Sequence, residues 1–384
     1  MKQSKTIATL SNMKRLRFLS NIILSSLAIL LLVGCDSCEQ NVFNVRDFGA
    51  KGDGKTSDTK AIQSAIDAAG KVQGTVYFPD GKYMCANLKT YPNIKLKGEQ
   101  KWGYSTSYGA NLILNDYSAK CLLDISDSKN IRITGLMFNA NRNKKSKTHG
   151  IMFDRQKRNH DTDTITIEYC KIRGFGGHGV YLNNTFVLIM RGCMINKNLG
   201  SGVECKGCDF YVIDNVFGAN GKYGFGGRLS SGMFTHNRVE WNESYGFYFG
   251  NGGNYLNITG NQFDHNHGAG VRLENVWSST ITGNAFRRNG RNSTKMFEAN
   301  DSANLVIQGN GISATGNTFM AGHTDGKKDY WTPKYAVMLS KSQHCIVSSN
   351  TMFHGYTVAP FIEKGENKKC LLENNTGTIH PQNY

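Results

Sequence analysis

Lys206 and Arg228 are the two residues of this chain whose types and spacing most clearly suggest a reaction. They stand 22 positions apart in two strand-like segments, SGVECK and YGFGGR. If those segments are neighbours, the two cations repel each other, and repulsion favours the neutral lysine that can accept a proton. An arginine beside that lysine can bind a carboxylate and stabilise the charge that forms when the adjacent carbon loses its proton. The pair therefore suggests proton abstraction α to a carboxylate.

Two carboxylates near this pair suggest a different reaction. Asp154 and Glu204 fall in the same repeated segment, and glycosidases cleave with two carboxyl groups that divide the acid and the base or nucleophile roles. The residues alone leave elimination and hydrolysis open.

Aromatic and charged side chains surround both groups and are candidates for substrate binding. Aromatic rings suit the faces of sugars, and charged groups suit uronate or sulfate. The candidate binding residues are His149, His178, Tyr181, Asn183, Tyr223, Tyr245, Tyr248, Arg272 and Glu274. Tyr181, Tyr248 or His178 could also replace Lys206 as the base. The alternative is an ordinary ladder of polar side chains on a solvated sheet.

A repeat of about 22 to 25 residues must position these side chains, and such a period is typical of a solenoid. Alternate residues of each repeated strand point inward and outward. The outward residues form three rows, which are His149, His178, Ser201, Tyr223, Tyr245 and Ala269; then Met152, Tyr181, Glu204, Gly226, Tyr248 and Arg272; then Asp154, Asn183, Lys206, Arg228, Gly250 and Glu274. Asp124, one repeat earlier, is predicted to begin the third row.

Asparagines recur at two further points of the repeat and predict a scaffold. Stacked coils would let each amide bond to its neighbours above and below. The first predicted ladder is Asn215, Asn237, Asn261, Asn284, Asn317, Asn350 and Asn374, and the second is Asn198, Asn220, Asn242, Asn266 and Asn289. Cys170 and Cys193 continue the first row and are expected to pack as two thiols.

The segment FNVRDFGAKGDGKTSDTKAIQSAIDAAG, residues 43–70, predicts an amphipathic helix that Ser57 or Asp58 caps and Gly70 ends. With the strand–turn–strand GTVYFPDGKY that follows, it resembles the opening of the pectate-lyase-like β-helix superfamily. That superfamily includes polygalacturonases, polysaccharide lyases, epimerases and phage tailspikes. The resemblance implies an all-β fold, a right-handed parallel β-helix of about ten coils, with the helix capping its N-terminal end.

The resemblance is less specific about the reaction. The Lys206 and Arg228 pair is similar to the arrangement in chondroitinase B-type lyases, which place acidic calcium ligands nearby, although those lyases are not associated with this capping segment. This resemblance implies a calcium site whose oxygen ligands would be Asp124, Asp154, Asn183 and Glu204. Polygalacturonases carry NTD, DD, GHG and RIK motifs, of which the GHG of residues 177–179 is present here, without an NTD or RIK partner. The DPH triplet of alginate epimerases is also missing. These departures put the polygalacturonase mechanism in doubt.

The N-terminus predicts export. Basic residues precede the apolar run IILSSLAILLLV at residues 22–33, which is too short to span a bilayer and typical of a signal peptide. The following LVGC resembles a bacterial lipobox, so we expect lipidation of Cys35 and attachment to a bacterial membrane, most simply the outer membrane. The predicted organisation is a signal peptide over residues 1–34, a lipidated linker over 35–42 and a β-helix domain over 43–384.

The charge balance indicates an acidic partner. Lys and Arg number 45 against 29 Asp and Glu, a formal net charge of +16, and a positive surface concentrates polyanions. Export favours an acidic polysaccharide over nucleic acid. A basic cluster, Arg142, Lys144, Lys145, Lys147, Arg155, Lys157 and Arg158, is either a solvated loop or a rim that binds this anion.

Together these patterns predict an enzyme that cleaves a uronate-containing polysaccharide by β-elimination, with Lys206, Arg228, Asp154 and Glu204 as catalytic residues. A glycoside hydrolase with paired carboxylates is the first alternative. A non-catalytic glycan-binding or adhesin β-helix is the second. The oligomeric state stays open.

Overall fold

The computed structural model describes residues 41–142, 145–156, 163–207, 209–228, 230–291, 302–320, 322, 325 and 331–377. The predicted signal peptide and Cys35 lie outside these ranges. Phe43–Tyr384 forms one compact unit. Within the described ranges, no helix combines the length and the apolar character needed to cross a membrane.

The N-terminal part of this unit contains the one long helix of the described residues. Its elements are β1 (Val42–Asn44), β2 (Asp53–Ser57), α1 (Thr59–Val72), β3 (Thr75–Phe78), β4 (Gly81–Cys85), β5 (Leu88–Lys89), β6 (Lys95–Gly98), β7 (Gln100–Trp102) and β8 (Ser107–Leu114). Ile62, Ala65, Ile66 and Ala69 are buried, so the predicted helical face is the face that packs on the core.

The N-terminal boundary of the helix was predicted correctly, whereas the predicted C-terminal boundary is wrong. Asp58 is the N-cap residue, but its carboxylate accepts the backbone N–H groups of Lys51 and Gly52 and makes no capping bond to the helix. The helix continues past Gly70 to Val72, and Gln73 takes the left-handed conformation that ends it. Gly70 is needed for another reason, since a Cβ there would lie 2.6 Å from the ring of Tyr91.

The central coils repeat three short strands. These are β9 (Cys121–Asp124), β10 (Ile131–Thr134), β11 (Met137–Asn139), β12 (His149–Asp154), β13 (Thr164–Glu168), β14 (Lys171–Arg173), β15 (Val180–Asn183), β16 (Val187–Arg191), β17 (Met194–Asn196), β18 (Val203–Lys206), β19 (Asp209–Ile213), β20 (Val216–Gly218), β21 (Phe225–Arg228), β22 (Gly232–Thr235), β23 (Arg238–Glu240), β24 (Phe247–Phe249), β25 (Gly253–Asn254), β26 (Leu256–Thr259) and β27 (Gln262–Asp264).

The C-terminal coils combine short strands with two long ones, β28 and β30, which turn from one face of the coil into the next. The strands of these coils are β28 (Val271–Thr282), β29 (Ala285–Arg287), β30 (Ala303–Thr315), β31 (Thr318–Met320), β32 (Tyr335–Ser340), β33 (Ile346–Ser348), β34 (Ala359–Lys364) and β35 (Leu371–Glu373). Because β28 pairs with both β24 and β26, two faces join into one continuous sheet here.

Parallel pairing between successive coils makes three ladders. The first runs through β9, β12, β15, β18, β21, β24 and β28, the second through β10, β13, β16, β19, β22 and β26, and the third through β11, β14, β17, β20, β23 and β27. In β18, Val203 and Cys205 are fully buried while Glu204 and Lys206 face outward. The chain is therefore a parallel β-helix, and its first ladder carries the predicted rows, although Met152, Ser201 and Ala269 in those rows are buried.

Both asparagine ladders are present inside the turns. Each amide Nδ2 donates to the Oδ1 of the asparagine one coil further on, and each Oδ1 also accepts a backbone N–H; Asn237 and Asn261 show the pattern at 3.1 and 2.8 Å. The second ladder extends to Asn304. One member was predicted wrongly: Asn350 bonds to Asn375 at 2.9 Å, not to Asn374. Cys170 and Cys193 are buried free thiols, as expected.

Candidate functional site

The outward side chains of β12, β15, β18, β21, β24 and the start of β28 form a surface that we call the groove. Pairing fixes its rows: Asn183 is the partner of Lys206, and Lys206 is the partner of Arg228. Tyr181 pairs with Glu204 and Glu204 with Gly226. Lys206 and Arg228 are both exposed. The structure thus brings the two predicted catalytic cations together on neighbouring strands at the surface.

Asp124 does not begin the row that was predicted for it. It pairs with Met152, two residues before Asp154, so it belongs to the row of Tyr181 and Glu204. Its carboxylate accepts the backbone N–H of Ser126 at 2.9 Å and the Ser126 hydroxyl at 2.5 Å. The insert at residues 139–147 breaks the repeat between these strands, which is why counting residues gave the wrong register.

Asp154 is held by two donors. Asn183 Nδ2 donates to one carboxylate oxygen at 2.9 Å, and Lys120 Nζ donates to the other at 3.1 Å. The Asn183 hydrogen bond, followed by Lys120, holds the pKa of Asp154 below its ordinary value. The Lys120 ammonium therefore already binds one of the two oxygens through which Asp154 would bind calcium. Within the described ranges, no group of three or more His, Cys, Asp or Glu residues is arranged to hold a metal.

His149 and His178 stack on one another at the edge of the groove, with ring centroids 5.2 Å apart. His149 Nδ1 accepts the backbone N–H of His178, and His178 Nδ1 accepts that of Ser201, each at 3.0 Å. Burial lowers the pKa of both rings to about 4. At neutral pH each ring is therefore neutral with its proton on Nε2, where it can donate a hydrogen bond and cannot accept one.

The backbone opposite this pair has no room for side chains. A Cβ on Gly177 would lie 2.6 Å from His149 Nδ1 and 2.4 Å from a backbone oxygen. A Cβ on Gly200 would lie 3.0 Å from His178 Nδ1. These glycines allow the chain to approach closely enough to fix the tautomer of both histidines, which assigns a structural role to part of the GHG motif.

Tyr181 lies next to the histidines in the groove. Its ring centroid is 5.0 Å from that of His149 and 5.8 Å from that of His178. Lys206 Nζ lies over the same ring at 5.9 Å from its centroid. The phenol, the lysine amine and two neutral imidazoles therefore meet in one part of the groove.

Glu204 accepts hydrogen bonds from its neighbours. The Tyr223 hydroxyl donates to Glu204 Oε2, and Ser201 Oγ donates to the same atom at 3.2 Å. Burial, followed by the Glu204 charge, raises the pKa of the Tyr223 phenol well above its ordinary value. The geometry holds Glu204 as an acceptor beneath Tyr223.

The C-terminal end of the groove carries a second aromatic group. Tyr248 stacks between Tyr223 and Tyr245, with centroids 5.2 and 5.6 Å away. Its hydroxyl donates to Glu274 at 2.9 Å, and burial together with this bond raises its pKa to about 12. Arg272 Nη2 forms a salt bridge with Glu274 Oε1 at 2.6 Å. Gly226 lies between Glu204 and Tyr248 in one row, and a Cβ there would lie 2.1 Å from a backbone oxygen.

Two features of the groove were not predicted from the sequence. Lys120 precedes β9 and reaches Asp154 across one coil, and its position in front of CLLD could have suggested an outward lead residue. Arg155 was placed in a basic cluster that is either a solvated loop or an anion-binding rim, but it is largely buried and binds Asp163 at 2.5 Å and the Ser126 and Ser128 carbonyls. Arg155 therefore holds the turn between β9 and β10 in place. Lys144, Lys157 and Arg158 lie outside the described residues.

The fold and the groove define a right-handed parallel β-helix, and a family model for the right-handed β-helix region matches residues 228–382. The model for rhamnogalacturonase A/epimerase, pectate lyase-like, matches residues 42–294. The chain belongs to this family, which confirms the predicted fold and the resemblance.

The chain is similar to several named proteins of Azotobacter vinelandii. It is 27% identical to mannuronan C5-epimerase AlgE5 over 67% of this chain and 26% of that protein. It is 71% identical to alginate lyase 7 over 42 residues, 11% of this chain and 5% of that protein. The A-module of mannuronan C-5 epimerase AlgE6 superposes with a TM-score of 0.54 at 19% identity, over 89% of this chain and all of that one. The chain thus spans about a quarter or less of these two curated relatives.

Proposed function

We propose that this protein is an enzyme acting on an acidic, uronate-containing polysaccharide, and that it cleaves this polymer by β-elimination. The observation that carries the proposal is the pairing of Lys206 with Arg228 on adjacent strands, beside two neutral histidines and Tyr181. The net charge of +16 supports an anionic substrate. The names of the similar proteins, which include mannuronan epimerases and an alginate lyase, support the same substrate class.

Each of the neighbouring side chains has a role in this proposal. The Arg228 guanidinium binds the uronate carboxylate and stabilises the enolate-like charge that develops on it. The Nε2–H groups of His149 and His178 add neutral donors beside Tyr181, on the other side of Lys206 from Arg228. Lys206 Nζ removes the proton from C5, the carbon next to the carboxylate. The stacked rings of Tyr223, Tyr245 and Tyr248 form an aromatic surface against which the neighbouring sugars pack.

The elimination step balances within the groove. The C5–H bond breaks, and its proton moves to Lys206 Nζ. The electron pair forms the C4–C5 double bond while the C4–O4 bond breaks. The leaving oxygen takes a proton from the Tyr181 phenol, and the proton on Lys206 restores the phenol through solvent. No water is added to the product.

The structure favours Lys206 over two of the alternative bases. His178 carries its proton on Nε2 because its Nδ1 accepts a backbone N–H, so it presents a donor to the groove. The Tyr248 hydroxyl donates to Glu274, and its pKa of about 12 makes deprotonation costly at neutral pH. Tyr181 is the remaining alternative base.

Hydrolysis by paired carboxylates receives less support. A glycosidase needs one carboxyl group that is protonated and free to donate. Asp154 accepts donors on both oxygens, with a lowered pKa, and Glu204 Oε2 accepts two hydroxyl groups. Both carboxylates are therefore held as acceptors, and we propose that they position side chains and sugar hydroxyls.

Epimerisation at C5 is a second candidate, and the similarity to mannuronan C5-epimerases favours it. It begins with the same removal of the C5 proton. It differs in the second step, in which C5 takes a proton on the opposite face and the glycosidic bond survives. Tyr181, on the other side of Lys206 from Arg228, is the candidate donor.

The proposal is tested by incubating the protein with a panel of acidic polysaccharides and analysing product mass and ultraviolet absorbance. A lyase gives unsaturated fragments with no added water. An epimerase leaves the chain length unchanged and alters the sugar configuration. Fragments that have gained water, or binding without any product, would contradict the proposal and favour a hydrolase or a glycan-binding protein.

We also propose that the chain is exported and anchored through lipidated Cys35. The support is the basic segment, the short apolar run and LVGC at residues 32–35. Metabolic labelling with a fatty acid tests this: label that incorporates in the wild type and is lost in Cys35→Ala supports the anchor, and unlabelled wild type contradicts it.

A further inference from the structure

A cavity lies on the third ladder of paired strands, away from the groove. It is lined by β14, β17, β20 and β23 and by the segment between β7 and β8. We call it the lateral pocket; its volume is about 300 Å³, and its principal residues are Tyr104, Arg173, Asn196, Lys197, Glu240 and Trp241. None of them belongs to the groove.

Hydrogen bonds fix the segment between β7 and β8, which forms one wall of the lateral pocket. The buried Lys171 ammonium donates to the carbonyls of Gly103, Tyr104 and Thr106 at 2.8 to 3.2 Å. The Trp102 indole donates to the Tyr169 carbonyl at 2.9 Å. These bonds hold the segment against the sheet, so the cavity beneath it is a fixed feature of the fold.

The chemistry of the lining matches an acidic sugar. Asn196 is nine-tenths buried, and its Oδ1 has no hydrogen-bond partner although it lines the pocket. A buried acceptor without a donor is costly, and a sugar hydroxyl would supply that donor. Tyr104 and Trp241 provide rings for a sugar face.

The charges of the lining leave a positive excess. Glu240 is paired with Arg238 at 2.8 Å and approaches the Tyr104 hydroxyl at 3.4 Å. Arg173 and Lys197 contribute two further cations at the rim. Their repulsion adds to burial in lowering the pKa of Lys171 to about 8. The excess suits the carboxylate of a uronate.

We propose that the lateral pocket binds a uronate residue of the acidic polysaccharide at a site separate from the groove. The class of ligand rests on the proposed function, whereas the existence of the site rests on the lining alone. Two sites on one chain would hold the protein on a long polymer, because binding at one raises the effective concentration at the other.

The test is a binding titration with a mannuronate and a galacturonate tetrasaccharide, with a neutral mannose tetrasaccharide for comparison. We expect two sites for at least one acidic probe in the wild type. Lys197→Glu and Arg173→Glu/Lys197→Glu should each weaken one site about tenfold or more. Lys82→Glu, an exposed lysine on β4 of the same sheet, is the matched control and should leave both unchanged.

The groove variant Lys206→Glu/Arg228→Glu separates this inference from the proposed function. It should lose one site and keep the site that Lys197→Glu weakens. One site in the wild type, equal effects of Lys197→Glu and Lys82→Glu, or tighter binding of the neutral probe would each overturn the pocket assignment. Absence of turnover by the wild type would count against the proposed function and leave the binding result intact.

Discussion

The asparagine ladders and the groove are built from the same coils but differ in what each coil contributes. From Asn215 to Asn350, each coil adds the same amide to the first asparagine ladder, and each amide makes the same bonds to the next. In the groove each coil adds a different side chain, so that histidine, tyrosine, glutamate, lysine and arginine meet on adjacent strands. Repetition inside stabilises the coil, and variation outside provides the chemistry.

The largest expected effect is loss of turnover in the groove. Lys206→Ala removes the proposed base, and we expect turnover to fall about 100-fold or more while substrate binding changes far less. Lys222→Ala is the matched control, since Lys222 is an exposed lysine one coil away whose charge also acts on His178. A mild Lys206→Ala with an inactive Tyr181→Phe would move the base to Tyr181.

A substitution in the asparagine ladder should lower the stability of the fold and leave turnover unchanged. Asn261→Leu removes bonds to Asn284, Phe234 and Thr259 inside the coil. We expect the free energy of unfolding to fall by about 1–3 kcal/mol. Asn257→Leu on the exposed face of β26 is the control. Denaturation curves check the pair, and equal stability of both variants would show that the amide ladder contributes little.

Regular spacing explains which of these features the sequence could predict. From Asn183 to Arg228 the repeat is even, so the rows and the Lys206–Arg228 pairing followed from counting. Asp124 lies on the other side of the insert at 139–147 and was misplaced by two residues, which is one row of the groove. Asn374 lies in a coil of different length and was misplaced by one residue, since Asn375 occupies the ladder position. The tautomers of His149 and His178 depend on backbone N–H groups one coil away, which no spacing reveals.

A pH titration of stability compares the two regions without a substrate. The asparagines do not titrate, whereas His149 and His178 have pKa values of about 4 against an ordinary 6.5. The unfolded chain binds protons at these rings as the pH falls below 6.5 and the folded chain does not. Their contribution is therefore fully present above pH 6.5 and is lost as the pH falls towards 4.

The variant His149→Asn/His178→Asn keeps an acceptor near each backbone N–H and removes the titration. We expect its stability to decline less than that of the wild type between pH 7 and pH 5, where each histidine contributes up to about 1.4 kcal/mol per pH unit. Chemical denaturation at both pH values measures this. Equal declines in the two proteins would mean that the rings are not held neutral.

The smallest expected effects are those of removing the Asp154 carboxylate and of removing calcium. Asp154→Asn preserves the shape of a side chain that accepts hydrogen bonds from Asn183 and Lys120. We expect turnover to fall less than about tenfold, because the substitution removes a hydrogen bond and not a reacting group. Chelation with EDTA should leave activity unchanged, because Lys120 already neutralises Asp154. Inactivation by either change would restore the hydrolase or the calcium hypothesis.

The most direct test of the groove follows one atom of the substrate. An acidic oligosaccharide that the protein turns over is prepared with deuterium at C5 of its uronate residues, and the products are analysed by mass and by NMR. Removal of the C5 proton predicts that deuterium is lost from every residue that reacts, whether the product is an unsaturated fragment or an epimer. Cleavage with the deuterium retained at C5 would contradict the account.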